Sequence, residues 1–481
     1  MRIFENQVQQ IKNEVYQKVA QYAFEGILDE KTKEIPYEIN PGPNPRFRCC
    51  IHHERAVTSE RLLMAFGGDE SNDNLVEVLP SACDQCLENR YVVTEICRGC
   101  LAHRCKQSCP KDAITIVNNK AFIDQSKCIE CGRCHASCPY DAVADVMRPC
   151  VKACPTGAIQ MDEHKKAIID NEKCIQCGTC VYYCPFGAIQ DKSQIVEVIE
   201  ALKQKNRKVY GIIAPAIATQ YNYVDLGKVI TAMKILGFTD VVEVALGADV
   251  VAIHEAEELI HRLSEGDTFM TSSCCPAFVN YVHEKFPELV GHISTTISPM
   301  VATARLVKSI DPEAVVVFIG PCIAKKEEEH RQLEDQSVDY VLVFEELTAM
   351  IETMDLNIED LKPSPLNNAS AYGRGFATSG GVTAAVNEIL KNKELDMTIE
   401  PLVCDGIEAC DKALRLGKAG RLKYTFIEGM ACRGGCIKGP VTMHYGPQDT
   451  KALVSYCNEA IETASVNAVR IFNLQNIQME R

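Results

Sequence analysis

Cysteine is the residue type through which this chain does chemistry. Cys128, Cys131, Cys134 and Cys138-Pro139 form C-x2-C-x2-C-x3-C-P, and Cys174, Cys177, Cys180 and Cys184-Pro185 repeat it. Cys97, Cys100, Cys105 and Cys109-Pro110 are a variant with two extra residues before the third cysteine. With this spacing a tight loop brings three thiolates to three corners of a [4Fe–4S] cube, and the fourth cysteine serves the neighbouring cube. Reciprocal pairing gives one set of Cys97, Cys100, Cys105 and Cys138, and a second of Cys128, Cys131, Cys134 and Cys109. A third set is Cys174, Cys177, Cys180 and Cys154. Cys150 and Cys184 remain. Ala144 and Met147 stand where the first two cysteines before Cys150 would be, and the upstream pair Cys83 and Cys86 supplies them. The fourth set is then Cys83, Cys86, Cys150 and Cys184. Structural zinc is the alternative for Cys83 and Cys86, so the count is three or four accessory clusters. Cys49 and Cys50 are left over, as further ligands or as buried thiols.

Three more cysteine-bearing segments follow residue 205. They are Thr271-Ser-Ser-Cys274-Cys275-Pro276, Gly320-Pro321-Cys322-Ile-Ala-Lys325-Lys326-Glu327 and Glu428-Gly-Met430-Ala-Cys432-Arg-Gly434-Gly435-Cys436. Two of them follow strand-like runs, Phe269–Thr271 and Val315–Ile319. Ligands in α/β sheets collect at such carboxyl ends. The glycines beside Cys436 let backbone approach a bulky group.

The elements that must carry these residues change in character near residue 190. Eighteen of the 26 cysteines lie between Cys49 and Cys184. There the phrase Cys-Pro-x-x-Ala recurs at Cys109, Cys138, Cys154 and Cys184, which reads as two tandem units with internal pseudo-symmetry. The stretch from Asp191 has helical spacing and reads as a connecting helix. Beyond it, the runs Val209–Ile213, Val241–Val244, Val315–Ile319 and Tyr340–Phe344 read as buried strands. Amphipathic stretches such as Ala252–Leu263 and Val301–Ser309 separate them, which predicts an α/β domain. The expected organisation is a partly helical segment over 1–88, α+β iron–sulfur units over 89–145 and 146–192, and an α/β catalytic domain over 193–481. A formal charge of −15 argues against general nucleic-acid binding. No apolar stretch reaches a membrane span, and the first twenty residues lack the apolar core of a secretory signal. Thiolate-rich CxxC usage of this kind points to metal sites in a reducing cytoplasm.

At these residues the chain resembles the [FeFe] hydrogenases. All three signature segments stand in order over roughly residues 205–450, behind ferredoxin-like units. In detail it is similar to the monomeric group B enzymes, with Arg48-Cys49-Cys50 and a cysteine-rich front half. The resemblance implies that Cys275, Cys322, Cys432 and Cys436 hold a [4Fe–4S] cubane. It implies that Cys436 bridges this cubane to a diiron subsite with CO, CN and dithiolate-amine ligands. That H-cluster interconverts two protons and two electrons with H2. Cys274, Glu255, Glu258 and Ser294 correspond to a proton relay; the two glutamates, at i and i+3, share a helix face. Lys325 corresponds to the lysine that hydrogen-bonds a cyanide, and Met430 to a methionine beside the diiron site. Ala214, Pro215 and Ser298 belong to cofactor-lining segments. Lys326 reads as a surface charge, and Cys404, Cys410 and Cys457 as free thiols. The chain departs from the family pattern at Phe278, Gly320, Arg433, Gly439-Pro440 and His254, none of them a ligand; such changes act on redox tuning and oxygen sensitivity.

The partners implied are a ferredoxin or flavodoxin electron carrier, dedicated maturases, and H2 and protons as substrates, with no nucleic acid and no membrane. Such carriers are acidic, and residues 97–190 hold 12 Lys or Arg against 9 Asp or Glu. A locally less negative face steers an acidic donor. Two other functions stay open: an iron–sulfur scaffold of the cluster-assembly type, and a hydrogen sensor without high turnover.

Overall fold

Eight short strands accompany the cysteine turns. They are β1 (Val76–Val78), β2 (Tyr91–Val93), β3 (Ile114–Val117), β4 (Lys120–Ile123), β5 (Val143–Asp145), β6 (Ile159–Met161), β7 (Ala167–Ile169) and β8 (Ile189–Asp191). The computed structural model describes residues 4–331, 336–391, 399–470, 472 and 477–480. The strands form four antiparallel pairs: β2 with β5, β3 with β4, β1 with β8, and β6 with β7. Two units result with one plan, in which an outer strand pair brackets a hairpin and two cysteine turns. In the first unit the plan is continuous, from β2 to β5. In the second it is interrupted. The opening strand β1 and the Cys83-x2-Cys86 turn come before the first unit, and Cys150 onward comes after it. The first unit is therefore inserted into the second. At the neck, Arg148 Nε donates to Leu87 O at 3.4 Å and Val146 N to Arg90 O at 2.7 Å.

Residues 193 onward give β9 (Val209–Ile213), β10 (Asp240–Glu243), β11 (Met270–Thr271), β12 (Val315–Gly320), β13 (Tyr340–Val343), β14 (Pro401–Asp405) and β15 (Phe426–Met430). A four-stranded sheet has the order β10-β9-β12-β13, all parallel. A three-stranded parallel sheet has the order β11-β15-β14. The six residues of β12 are all buried, as expected for a parallel strand covered on both faces. The four strands read from the sequence thus form one sheet, and the amphipathic stretches between them are helices, including Val244–Glu265 and Pro299–Ile310. The fold is an α/β domain preceded by α+β iron–sulfur units. Among the described residues no helix is long and apolar enough to cross a membrane.

Two expectations need correction. The connecting helix covers Ile195–Lys203 and does not begin at Asp191, because Asp191 ends β8. Lys326 is not a surface charge. It is 2% exposed and lies in a buried ionic cluster, 2.7 Å from Asp191 and 3.3 Å from Glu346. Lys12 joins the same cluster, 2.7 Å from Glu345 and 3.6 Å from Asp191. Lys12 comes from the Gln7–Glu25 helix, whose start is capped by the Asn6 side chain and whose end is closed by Gly26 in the left-handed region. That helix packs on the Ile195–Lys203 and Phe344–Glu352 helices. The cluster therefore ties the N-terminal segment, the second unit and the catalytic domain together.

Candidate metal centre and proton path

The cysteines after residue 205 that the sequence singled out sit on loops that leave the carboxyl ends of parallel strands. Cys274 and Cys275 follow β11, Cys322 follows β12, and Cys432 and Cys436 follow β15. Two sheets thereby point thiols into one place. Burial raises the Cys322 thiol to about 12, with Cys275 and Cys436 adding to it. Burial likewise raises Cys436 to about 12, followed by Cys275. Cys432 is pushed well above its ordinary value by burial, then by Cys322, Cys275 and Cys436. Cys322, Cys432 and Cys436, held half-buried beside one another and beside Cys275, are disfavoured as bare thiolates, and metal that binds them as thiolates removes the conflict. The donor set therefore fits an iron–sulfur cubane, which takes four cysteine thiolates.

The accessory cysteines are also brought together in fours. Cys97, Cys100, Cys105 and Cys138 line one cavity, and Cys109, Cys128, Cys131 and Cys134 another. Cys180 is raised by burial and then by Cys177, Cys174 and Cys154. Cys150 is raised to about 11 by burial, with Cys184, Cys86 and Cys83 as its thiol neighbours. Backbone N–H groups aim at sulfur in each quartet: Ala121 at Cys97 (3.4 Å), Ala113 at Cys109 (3.3 Å), Ala158 at Cys154 (3.2 Å) and Ala188 at Cys184 (3.2 Å). Cys177 is close enough to Cys432 to act on its titration. The second unit thus abuts the catalytic quartet. Gly178 makes the approach possible: it has φ +72°, and a Cβ there would lie 2.6 Å from Ile323 and 2.8 Å from Pro440. Cys49 and Cys50 are both exposed, so the buried-thiol alternative for them is corrected. Cys404 and Cys410 are buried free thiols, and Cys457 is a partly buried one.

Cys274 differs from its neighbour. It is 9% exposed, and burial followed by the charge of Glu255 raises its thiol well above the ordinary value. It is held protonated at neutral pH. Glu255 is fully buried on the Val244–Glu265 helix, and its Oε1 accepts from Ser273 N at 3.0 Å. One turn on, Glu258 accepts from Ser294 Oγ at 2.6 Å, Thr295 N at 2.9 Å and Thr296 Oγ1 at 3.1 Å. Arg262 pairs with Glu258 at 2.6 Å. Burial pushes the Glu258 carboxyl up, but Ser294, Thr295 and Arg262 outweigh it and the net shift is downward. Lys325 Nζ donates to Cys274 O at 3.3 Å and to Glu328 at 2.5 Å, and Ser298 Oγ donates to the same Glu328 oxygen at 2.9 Å. Met430 is buried at the end of β15. Ala214, at the end of β9, is buried, and a Cβ on Gly320 would lie 3.2 Å from its own.

Sequence reasoning missed Ser273, Thr296, Arg262 and Glu328. Two of these carried a readable signal. Arg262 lies four residues after Glu258, and Glu328 three after Lys325, the spacings at which helical charges meet. Ser273 and Thr296 carried none, because their role comes from loops meeting in space.

Comparisons with known proteins place the chain in a family. A family described as "Iron only hydrogenase large subunit, C-terminal domain" matches residues 207–440, and a "4Fe-4S dicluster domain" matches residues 90–139 and 148–188. The periplasmic [Fe] hydrogenase large subunit of Nitratidesulfovibrio vulgaris is 31% identical over 376 residues, covering 66% of this chain and 85% of that one. Iron hydrogenase 1 of Clostridium pasteurianum is 28% identical over 456 residues, covering 83% of this chain and 77% of the other. A cytosolic Fe-S cluster assembly factor, narfl of Danio rerio, is 25% identical over 265 residues, covering 44% and 64%. A parallel α/β domain with a half-buried cysteine quartet, preceded by iron–sulfur units, defines a hydrogenase-type metalloprotein. The chain belongs to the iron-only hydrogenase family, with two 4Fe–4S dicluster units ahead of its catalytic domain.

Proposed function

We propose that this protein is an [FeFe] hydrogenase that interconverts two protons and two electrons with H2, drawing electrons from a ferredoxin- or flavodoxin-type carrier. Cys275, Cys322, Cys432 and Cys436 would hold the cubane of the H-cluster, and Cys436 would also hold its diiron subsite. That subsite, installed by maturases, supplies the redox chemistry of H2 when bound. The chain's own residues do the rest. Lys325, fixed by Glu328 and the Cys274 carbonyl, presents an ammonium to anionic ligands in a site of low dielectric. Cys274 holds a proton on sulfur beside the quartet. Glu255, Ser294 and Glu258 move protons between it and the Arg262 end of the path. The accessory quartets would hold [4Fe–4S] clusters, which would supply electron transfer between the first unit, the second and the Cys432 side of the main quartet.

One observation carries this reading. A buried thiol outside the half-buried quartet, Cys274, stands beside it, kept protonated and backed by Glu255. A passive scaffold has no use for such a group. The scaffold reading draws its support from the likeness to narfl. Hydrogen evolution from a chemically reduced dye separates the two after loading with clusters and a synthetic diiron precursor. Turnover with infrared bands of CO and CN is the expected result. A cubane-loaded, folded chain that gains neither bands nor turnover overturns the hydrogenase reading in favour of the scaffold.

A further inference from the structure

The two quartets of the second unit are related by its pseudo-symmetry, yet their surroundings differ in charge. Around Cys154, Cys174, Cys177 and Cys180 the side-chain partners are neutral: Thr179 Oγ1 lies 3.2 Å from Cys177 Sγ and Thr156 Oγ1 lies 3.7 Å from Cys154 Sγ. Around Cys83, Cys86, Cys150 and Cys184 they are cationic. Arg148, 9% exposed, places Nη1 3.9 Å from Cys83 Sγ, and Lys166 Nζ donates to Cys83 O at 3.0 Å. Arg61 lies over the Cys184 turn. A Cβ on Gly187, which has φ +58°, would fall 2.8 Å from its Nη2, whereas a Cβ on the equivalent Gly157 would meet nothing within 4 Å. Arg61 is 2% exposed, donates only to the neutral acceptors Gln190 Oε1 (3.2 Å) and Phe186 O (3.5 Å), and its Nε has no hydrogen-bond partner among the described residues. Arg48 adjoins it but is paired with Asp84 at 2.9 Å. A guanidinium buried without a counter-ion is costly. Of the groups that favour its charge Cys184 acts first, ahead of Tyr16 and Glu54, and an anionic centre on Cys184 strengthens that counter-charge.

We propose that Arg61 and Arg148 make the quartet of Cys83, Cys86, Cys150 and Cys184 the more readily reduced of the two in the second unit, and so an electron reservoir one step behind the quartet that adjoins Cys432. This rests on the reading that a [4Fe–4S] cluster occupies those four thiols. Reduction takes one electron from a low-potential one-electron carrier, forms and breaks no bond, and moves no proton. With four thiolates the total charge goes from −2 to −3. Cations within the shell stabilise that added charge, while neutral hydroxyls do so much less. H2 formation consumes two electrons, and this placement holds one of them inside the protein while the second arrives.

The test is a redox titration followed by electron paramagnetic resonance on the full-length, cluster-loaded chain. Cys83→Ala identifies the signal by deleting it. That signal is expected to have the higher midpoint of the second unit's pair. Arg61→Gln and Arg148→Gln are each expected to lower its reduced-to-oxidised ratio about tenfold at the parental midpoint, about 59 mV for one electron, with the other signals in place. Arg61→Lys, which keeps the charge, is expected to leave it unmoved. Should Arg61→Gln fail to load clusters, Arg148→Gln, acting at Cys83, decides alone. A midpoint that neither glutamine variant moves overturns the proposal, as does a shift shared by every signal. Iron analysis keeps the two levels apart: about 18 irons with one zinc, where about 22 irons are expected, overturns the cluster reading itself.

Discussion

Cys274 and Cys275 are adjacent in sequence and are assigned different work. Cys275 is one of four mutually close thiols, so Cys275→Ala is expected to lose the cubane, seen as missing iron and missing infrared bands. Cys274→Ala is expected to keep both and lose turnover by roughly 100-fold or more, the usual scale for a positioned proton donor. Glu255→Gln should resemble it, and the double variant should be little worse than either, since both act on one path. Turnover at the parental rate in Cys274→Ala would remove the relay assignment. Glu258 makes a prediction about pH. Its folded carboxyl titrates below the ordinary range, with burial outweighed by Ser294, Thr295 and Arg262. The stability it contributes is present above its unfolded pKa, about 4.3, and disappears as pH falls through the lower folded value. Glu258→Gln should therefore be less stable than the parent at pH 7, and the gap in thermal midpoint should close on acidification through that window.

At the scale of elements, the ionic cluster of Lys12, Asp191, Lys326, Glu345 and Glu346 joins one helix, one strand and two further helices. Burial raises both Glu345 and Glu346. Removing one partner strands the others, at a cost of about 3–5 kcal/mol. Lys326→Met is thus expected to lower the thermal midpoint clearly, with early proteolysis between the second unit and the catalytic domain, while Lys33→Met, on the exposed surface, changes neither. This cluster also shows where sequence reading stops. The cysteine turns and the strands of the main sheet were legible because each is written in a few consecutive residues. Lys326 looked like a surface lysine, since nothing near it in sequence reveals that Asp191 and Glu346 arrive from other elements. The N-terminal helix was not legible as a packed element, because its buried side carries Gln9, Lys12 and Asn13 beside Val15 and Val19. The membership of Cys83 and Cys86 could be reached by elimination alone. The reason behind it, strand β1 pairing with β8 more than a hundred residues later, is a contact of tertiary structure.

For the whole molecule, the order of the quartets is a statement about metal content and about separable parts. On the proposed reading, four accessory clusters and the H-cluster are expected to give about 22 irons per matured chain. The insertion makes a sharper claim. A chain in which a short loop replaces residues 89–146 is expected to fold, to retain about 14 irons, and to evolve hydrogen from a small reduced dye. Its activity with a protein electron donor should fall far more than its activity with the dye. Failure of this chain to load the quartet of Cys83, Cys86, Cys150 and Cys184 would show that the inserted unit is needed for the second unit to form.

The neck of that insertion has a consequence for how such a chain changes over evolutionary time. Both crossings of the neck lie side by side at Leu87 and Arg148, and the host unit's strands pair with one another and not with the guest's. The guest is therefore a cassette in a socket. On the proposed function, a lineage that trades it for another redox module, or drops it, would change the electron donor it answers to, while the gas chemistry and its proton supply would continue on residues the exchange never touches.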